Sequence, residues 1–189
     1  MSLQSSLTHA IQQRADFLAK AEANNTDCFR LFHGTVEGEN GLNIDRYGNA
    51  WLIQTFHQTL TEDQLEEVAS VLTKLNDLPV IYNDRAKRNS RIENNPQSEH
   101  HEFACSEQVI HENGIKFTSK LRHEGQDPLL FLDMRVGREY VKAHSQDCSV
   151  LNLFSYTCGI GTAAAVGGAS RVVNIDFSSF ALAAGKRNA

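Results

Sequence analysis

Apolar positions along this chain recur at two spacings, and the spacing changes where the chain changes character. Over residues 2–24, Leu7, Ile11, Ala15, Leu18 and Ala21 fall near helical intervals, which predicts one amphipathic helix ended by Asn24-Asn25-Thr26-Asp27. Short β-like runs follow: Phe29 to His33, Leu42 to Arg46 and Trp51 to Phe56, separated by Glu37–Gly41 and Tyr47-Gly48-Asn49. Turns this short predict an antiparallel meander. Thr61 then caps a helix that carries Glu62 and Asp63 in its first turn and an apolar stripe of Leu65, Val68, Ala69, Leu72 and Leu75. Val80-Ile81-Tyr82 reads as a strand, Asn83 to Glu102 as a mobile loop, and Phe103 to His111 as a short strand. Glu112-Asn113-Gly114 is a hairpin turn leading into a strand from Ile115 to Leu121. Gly125-Gln126-Asp127-Pro128 turns again, and a helix is expected from Val136 to Ala143.

From Val150 to Asp176 the pattern becomes that of a parallel unit. Val150-Leu151-Asn152-Leu153-Phe154 is an apolar run, Ser155 to Gly161 a small-residue loop, and an alanine-rich helix stops at Gly167-Gly168. A second apolar strand, Arg171 to Ile175, ends on Asp176, and a last helix runs from Ser178 to Asn188 with Ser178 or Ser179 as its cap. Strand, glycine loop, helix, strand and acid is the layout of a nucleotide-handling β-α-β unit. The loop lacks GxGxxG, which removes most of the weight from a dinucleotide reading. No lysine lies between Lys142 and Lys186, so a P-loop ATPase reading fails. What remains suits a nucleoside-type ligand: glycines admit a close approach, and an acid at the strand end can accept ribose hydroxyls. S-adenosylmethionine fits that description. The same residues also suit purely structural roles, with Gly159, Gly161, Gly167 and Gly168 serving turns and Asp176 capping a helix.

Composition narrows the class. Hydrophobic residues make up 41% of 189, enough for a packed core, and no apolar run approaches the length that spans a bilayer. The polar N-terminus has no signal-peptide core, so the cytoplasm is the expected location. Cys28, Cys105, Cys148 and Cys158 form no CxxC pair, so neither a zinc site nor a disulfide framework is expected. The net charge of −5 is uneven: residues 1–147 carry 15 basic and 22 acidic side chains, and residues 148–189 carry three basic and one acidic. A bulk polyanion binder is disfavoured, but Arg85, Lys87, Arg88 and Arg91 form a local basic run that could touch RNA phosphates or lie on a solvated loop.

At the glycine stretch the chain resembles a known family. Val150-Leu151-Asn152-Leu153-Phe154-Ser155-Tyr156-Thr157-Cys158-Gly159 resembles the VLN-x-FSYTGG motif of the RlmI-like S-adenosylmethionine-dependent methyltransferases, which act on large-subunit ribosomal RNA and several of which make 5-methylcytosine. Phe131-Leu132-Asp133-Met134-Arg135 resembles their FLDQR motif, and Gly41 to Gly48 their GLxxDRYG signature. Glu112 to Phe117 matches ENGxxF, and Asp176-Phe177-Ser178 with Ala181-Leu182 and Asn188 resembles D-x-S-x-x-AL-x-x-A-x-x-N. The ordered motifs extend over residues 29–189.

The resemblance implies an α+β N-terminal domain over residues 1–112, followed by the first half of a Rossmann-like α/β methyltransferase domain over residues 113–189. It implies S-adenosylmethionine as cofactor and RNA, of ribosomal type, as substrate. Phe154, Ser155, Tyr156, Thr157, Gly159 and Gly161 would line the cofactor, Asp176 would hold the ribose with Ser178 beside it, Phe177 would pack on the adenine, and Arg135 would approach the carboxylate. The alternatives are packing roles, with Phe154 and Phe177 as core aromatics and Arg135 as a surface ion pair. Met134 stands where the family has glutamine and Cys158 where it has the first glycine of a pair. No residue matches the family's DPPxF-type motif or the catalytic cysteine of its cytosine-methylating members, so no catalytic residue is assigned, and Cys158, inside the cofactor loop, is not the nucleophile. The family's N-terminal PUA-like domain is likewise unmatched, a leading helix standing in its place. The 189 residues alone are therefore expected to be inactive, as a piece of an active enzyme or, alternatively, as a catalytically inactive RNA- or partner-binding module. The open sheet is expected to be covered by another copy of the chain or to be poorly ordered.

Overall fold

The computed structural model describes residues 2–86, 99–122 and 127–188. Lys87, Arg88 and Arg91 lie outside the described residues. The N-terminal half is built on a four-stranded sheet in the order β1 (Cys28–His33), β2 (Leu42–Tyr47), β3 (Ala50–Thr55) and β4 (Val80–Asp84). The first three strands pair antiparallel, as their short turns require, with a register shift between Arg30 and Phe32. β4 returns parallel to β3 because the helix Glu62–Leu75 crosses between them. That helix opens on a capping box in which the Thr61 hydroxyl accepts from the Gln64 N–H and the Gln64 side chain from the Thr61 N–H.

β3 is buried along its whole length because both faces of the sheet are covered. Trp51 and Ile53 face one core with Leu7, Phe29, Phe32, Ile44, Val68 and Leu72, beneath the N-terminal helices and the Glu62–Leu75 helix. Ala50 and Leu52 face a second core with Ile81, Ile110, Phe117, Leu121, Leu130 and Ala163. The alternation along one strand thus divides the two cores.

The single N-terminal helix expected over residues 2–24 is two, α1 (Leu3–Gln13) and α2 (Ala15–Ala23). Arg14 leaves helical geometry at φ −99° and ψ 8°, and its guanidinium bonds the Ala10 carbonyl and pairs with Glu37 at 2.5 Å. A tertiary ion pair, rather than a turn signal, marks that break. Next along the chain come α3 (Gly34–Glu37) and α4 (Glu62–Leu75), the crossover described above. The strand expected from Phe103 to His111 is also corrected. His101–Cys105 is a short helix, α5, which places Ala104 fully in the second core, and β5 begins only at Gln108.

β5 (Gln108–Glu112) and β6 (Ile115–Ser119) form an antiparallel hairpin whose turn contains the expected domain boundary between residues 112 and 113. The hairpin is tied to the first sheet where Asp27 accepts from the His111 N–H at 2.6 Å. After a 3-10 turn at Leu132–Met134 come α6 (Arg135–His144), β7 (Ser149–Leu153), α7 (Gly159–Val166), β8 (Arg171–Ile175) and α8 (Ser179–Asn188). β7 and β8 pair parallel, Leu153 opposite Ile175, with α7 as their crossover. Among the described residues no helix is long and apolar enough to cross a membrane.

Candidate cofactor site

The carboxyl ends of β7 and β8 lie side by side, and two chain turns leave from them. In the first, Phe154, Tyr156 and Cys158 take φ values of 53°, 48° and 62°. Three non-glycine residues at alternate positions in the left-handed region cost on the order of 1–3 kcal/mol each unless the surroundings hold them. The surroundings do so bond by bond. The Ser155 N–H donates to the Ile175 carbonyl at 3.0 Å and the Cys158 N–H to the Ser155 carbonyl at 2.7 Å. The Thr157 hydroxyl donates to the Leu129 carbonyl at 2.6 Å, and the Asn188 amide donates to the Thr157 carbonyl at 3.0 Å.

Asp176 joins the two turns. One of its carboxylate oxygens accepts from the Tyr156 N–H and the other from the Ser178 N–H, each at 2.8 Å. Ser178 in turn caps α8 by accepting from the Ala181 N–H at 3.2 Å. Ser178, not Asp176, therefore caps the helix, and the two N–H bonds that Asp176 accepts leave each of its oxygens a further lone pair.

The aromatic residues settle one alternative. Phe154 is 82% exposed and Phe177 93%, so neither is a core residue. Among the described residues Arg135 makes no surface ion pair of the kind weighed for it; its guanidinium lies over the Phe17 ring, 4.5 Å from the centroid. Ser155 and Thr157 are buried, their side chains engaged within the loop and its supports. Gly161 is a packing glycine: a Cβ there would meet the Asn174 side chain at 2.1 Å. Gly159 starts α7 against Leu130 and Arg138, and the first-turn N–H groups of that helix have no intrahelical acceptor. Burial raises the Cys158 thiol pKa against the lowering pull of Ser155, with Asp176 raising it further, which disfavours a thiolate in this loop.

The Arg85 guanidinium lies 4.9 Å over the Phe56 ring and bonds Gln54 at 3.3 Å, and its charge acts on Asp127.

Several pairings that hold the site carried no sequence signal, although Glu112 itself stands in the ENGxxF match. Arg138 on α6 and Glu112 on β5 form a buried two-point ion pair at 2.6 and 2.7 Å, beside the start of α7. Asp127 accepts from the Tyr156 hydroxyl at 3.2 Å and from the Leu129 N–H at 2.9 Å. Burial pushes its carboxyl up to about 6, against the pull of those two bonds and of Arg85, with Asp133 adding to the rise. Burial and the Asp127 charge raise the Tyr156 phenol pKa. The Arg138–Glu112 and Asp127–Tyr156 pairs arise from contacts across 26 and 29 residues.

Residues 29–189 match the family described as S-adenosylmethionine-dependent methyltransferase. The chain is 32% identical over 182 residues to ribosomal RNA large subunit methyltransferase I of Cronobacter sakazakii, covering 94% of this chain and 44% of that one. It is 30% identical over 189 residues to a ribosomal RNA large subunit methyltransferase of Deinococcus radiodurans, covering 96% and 46%. The chain thus spans under half the length of these relatives. Its fold is similar to that of a Streptococcus mutans protein assigned to the SAM-dependent methyltransferases, with a TM-score of 0.76 at 23% identity over 98% of this chain and 47% of that one. A second solved structure, of a methyltransferase candidate complexed with SAH, gives 0.75 at 23% identity over 98% and 46%.

Proposed function

From a chain that belongs to the S-adenosylmethionine-dependent methyltransferase family, we propose that the ends of β7 and β8 hold S-adenosylmethionine and that the protein methylates RNA, of the large ribosomal subunit. The observation that carries this reading is Asp176, fixed by the Tyr156 and Ser178 N–H groups at the end of β8, with acceptor capacity left over and exposed aromatic rings on either side. In open α/β units ligands bind at the carboxyl ends of the strands. Asp176 accepts the ribose hydroxyls, and Phe177 covers the adenine. The backbone from Phe154 to Gly161, with Ser155, Tyr156, Thr157 and Gly159, forms the wall of the site, and Ser178 sets the angle of its far side. Arg135 reaches the carboxylate end of the cofactor only by leaving Phe17. The cofactor, when bound, supplies an electrophilic methyl group on a sulfonium. These residues fix its place, and an RNA base brought in line completes the arrangement by proximity.

The relatives' names support the RNA substrate. Arg85 with Lys87, Arg88 and Arg91 is proposed to meet RNA phosphates. The same reading takes residues 1–112 as a small α+β domain and 113–189 as the first half of a Rossmann-like methyltransferase domain. Calorimetry of the chain with S-adenosylmethionine tests the site. Wild type should bind, and Asp176→Ala should weaken binding by about tenfold or more, because two hydrogen bonds to a charged acceptor are lost. Equal heats in the two proteins would remove the ribose role.

A further inference from the structure

Tyr156 presents two different groups to two different acids. Its N–H goes to Asp176 and its hydroxyl to Asp127, at 2.8 and 3.2 Å. Asp127 belongs to the segment just before the 3-10 turn, outside the β7–α7–β8 unit. That segment grips the loop a second time, through the Leu129 carbonyl and the Thr157 hydroxyl at 2.6 Å, and a third time through the Phe131 ring, 5.1 Å from that of Tyr156. Leu129 itself is held at φ 73° and its N–H caps back onto Asp127 at 2.9 Å. The left-handed conformation at Tyr156 is thus clamped from outside the site, at the residue whose N–H orients Asp176.

We propose that Asp127 is a positioning residue for cofactor binding: its ionised carboxylate holds the Tyr156 hydroxyl, this fixes the left-handed turn at Tyr156, and the turn fixes the Asp176 carboxylate toward the ribose. The proposal rests on the cofactor reading above and adds a residue and a control to it. A hydrogen bond to a carboxylate is stronger than one to a neutral carboxyl. Proton uptake at Asp127 therefore loosens the clamp without removing either side chain. Among the described residues, the groups facing Asp127 are the Tyr156 and Tyr47 phenols, the Arg85 guanidinium and the Asp133 carboxylate, with Asp176 acting on Tyr156 from the far side. With Asp127 titrating near 6, the change falls just below neutral pH.

The sign separates this role from a general one in folding. The Asp127 pKa is raised on folding, from 3.8 to about 6, so the folded state binds the proton more readily. This group's contribution to stability therefore improves as pH falls through about 6 and is least favourable above it. Cofactor affinity is expected to move the opposite way, falling as pH falls.

The test is calorimetry with S-adenosylhomocysteine between pH 5 and 8, for wild type, Asp127→Asn and Tyr156→Phe, with thermal melts alongside. Wild type should lose about two- to tenfold in affinity from pH 8 to pH 5, the difference between a charged and a neutral hydrogen bond. Asp127→Asn, which keeps an acceptor but not the charge, should bind at every pH as wild type does at pH 5. Tyr156→Phe should be weakened at pH 8 and should lose the pH dependence. Parallel pH profiles in wild type and Asp127→Asn would overturn the proposal, and so would unchanged affinity in Tyr156→Phe. If wild type binds no S-adenosylhomocysteine at any pH, the cofactor reading fails instead. The clamp is then judged by amide hydrogen exchange of residues 154–161 without ligand, corrected for the intrinsic rate. Lower protection at pH 5 than at pH 8 in wild type alone supports it; equal protection in all three proteins overturns it.

Discussion

Cys158 and Gly185 are a matched pair. Cys158 begins α7 from a left-handed backbone at φ 62°, a conformation that glycine adopts without cost. Its thiol is buried against α8 at a position where a Cβ on Gly185 would stand 2.5 Å from the sulfur and 3.0 Å from the Cys158 Cβ. A small residue on α8 thus makes room for a side chain that the related motif lacks. Gly185→Ala should overpack this contact and destabilise the fold by about 1–3 kcal/mol. Cys158→Gly should recover part of that loss, because the sulfur is removed while the Thr157 carbonyl carbon, 3.1 Å from the same Cβ position, stays in place. Denaturant midpoints of the two single variants and the double variant form the cycle. Strict additivity would show that the two residues do not share this space.

Among the elements, those with a strong local period were legible and those decided by distant partners were not. The meander, the capped α4 helix and the β7–α7–β8 unit follow from short turns between β-like runs, a Thr61 cap with acids in the first turn, and two apolar runs around a small-residue helix. The break at Arg14 was invisible because its partner Glu37 lies 23 residues away, and α5 was hidden because five residues are too few to show a helical period. The site divides the same way. Asp176 could be found because it ends a strand after a glycine loop, whereas Asp127 and the Glu112–Arg138 pair exist only through contacts across 29 and 26 residues. That pair joins the hairpin to α6 with both side chains almost fully buried. Arg138→Met should destabilise the protein by about 3–5 kcal/mol, since it strands the Glu112 carboxylate in the core. Arg138→Met combined with Glu112→Leu should recover most of that loss, because two apolar side chains leave no buried charge behind. Thermal melts of the three variants measure both effects, and a double variant as unstable as Arg138→Met would rule out charge burial as the cause.

At the scale of the molecule the two halves differ in how their sheets are covered. The four-stranded sheet has helices on one face and the hairpin on the other, whereas the two-stranded parallel sheet leaves Leu151, Leu153 and Ile175 at 60%, 54% and 51% exposure. Leu153 and Ile175 are register partners and Leu151 lies two residues before Leu153 on the same face, so these side chains form one apolar row; Phe154, Phe177 and Phe180 are exposed as well. Parallel strands are almost always covered on both faces, and a contiguous apolar patch in water drives association. We therefore expect the 189-residue chain to self-associate through this row. Sedimentation velocity should show a mass that rises with protein concentration, and Leu151→Lys with Leu153→Lys should return the protein to monomer with its melting midpoint nearly unchanged, because neither side chain contributes to either core. A chain that stays monomeric at every concentration would contradict this. Since Leu153 and Ile175 each lie beside a residue of the proposed cofactor wall, the monomeric variant also separates association from cofactor binding: unchanged affinity for S-adenosylhomocysteine in that variant would show that one copy forms the site unaided.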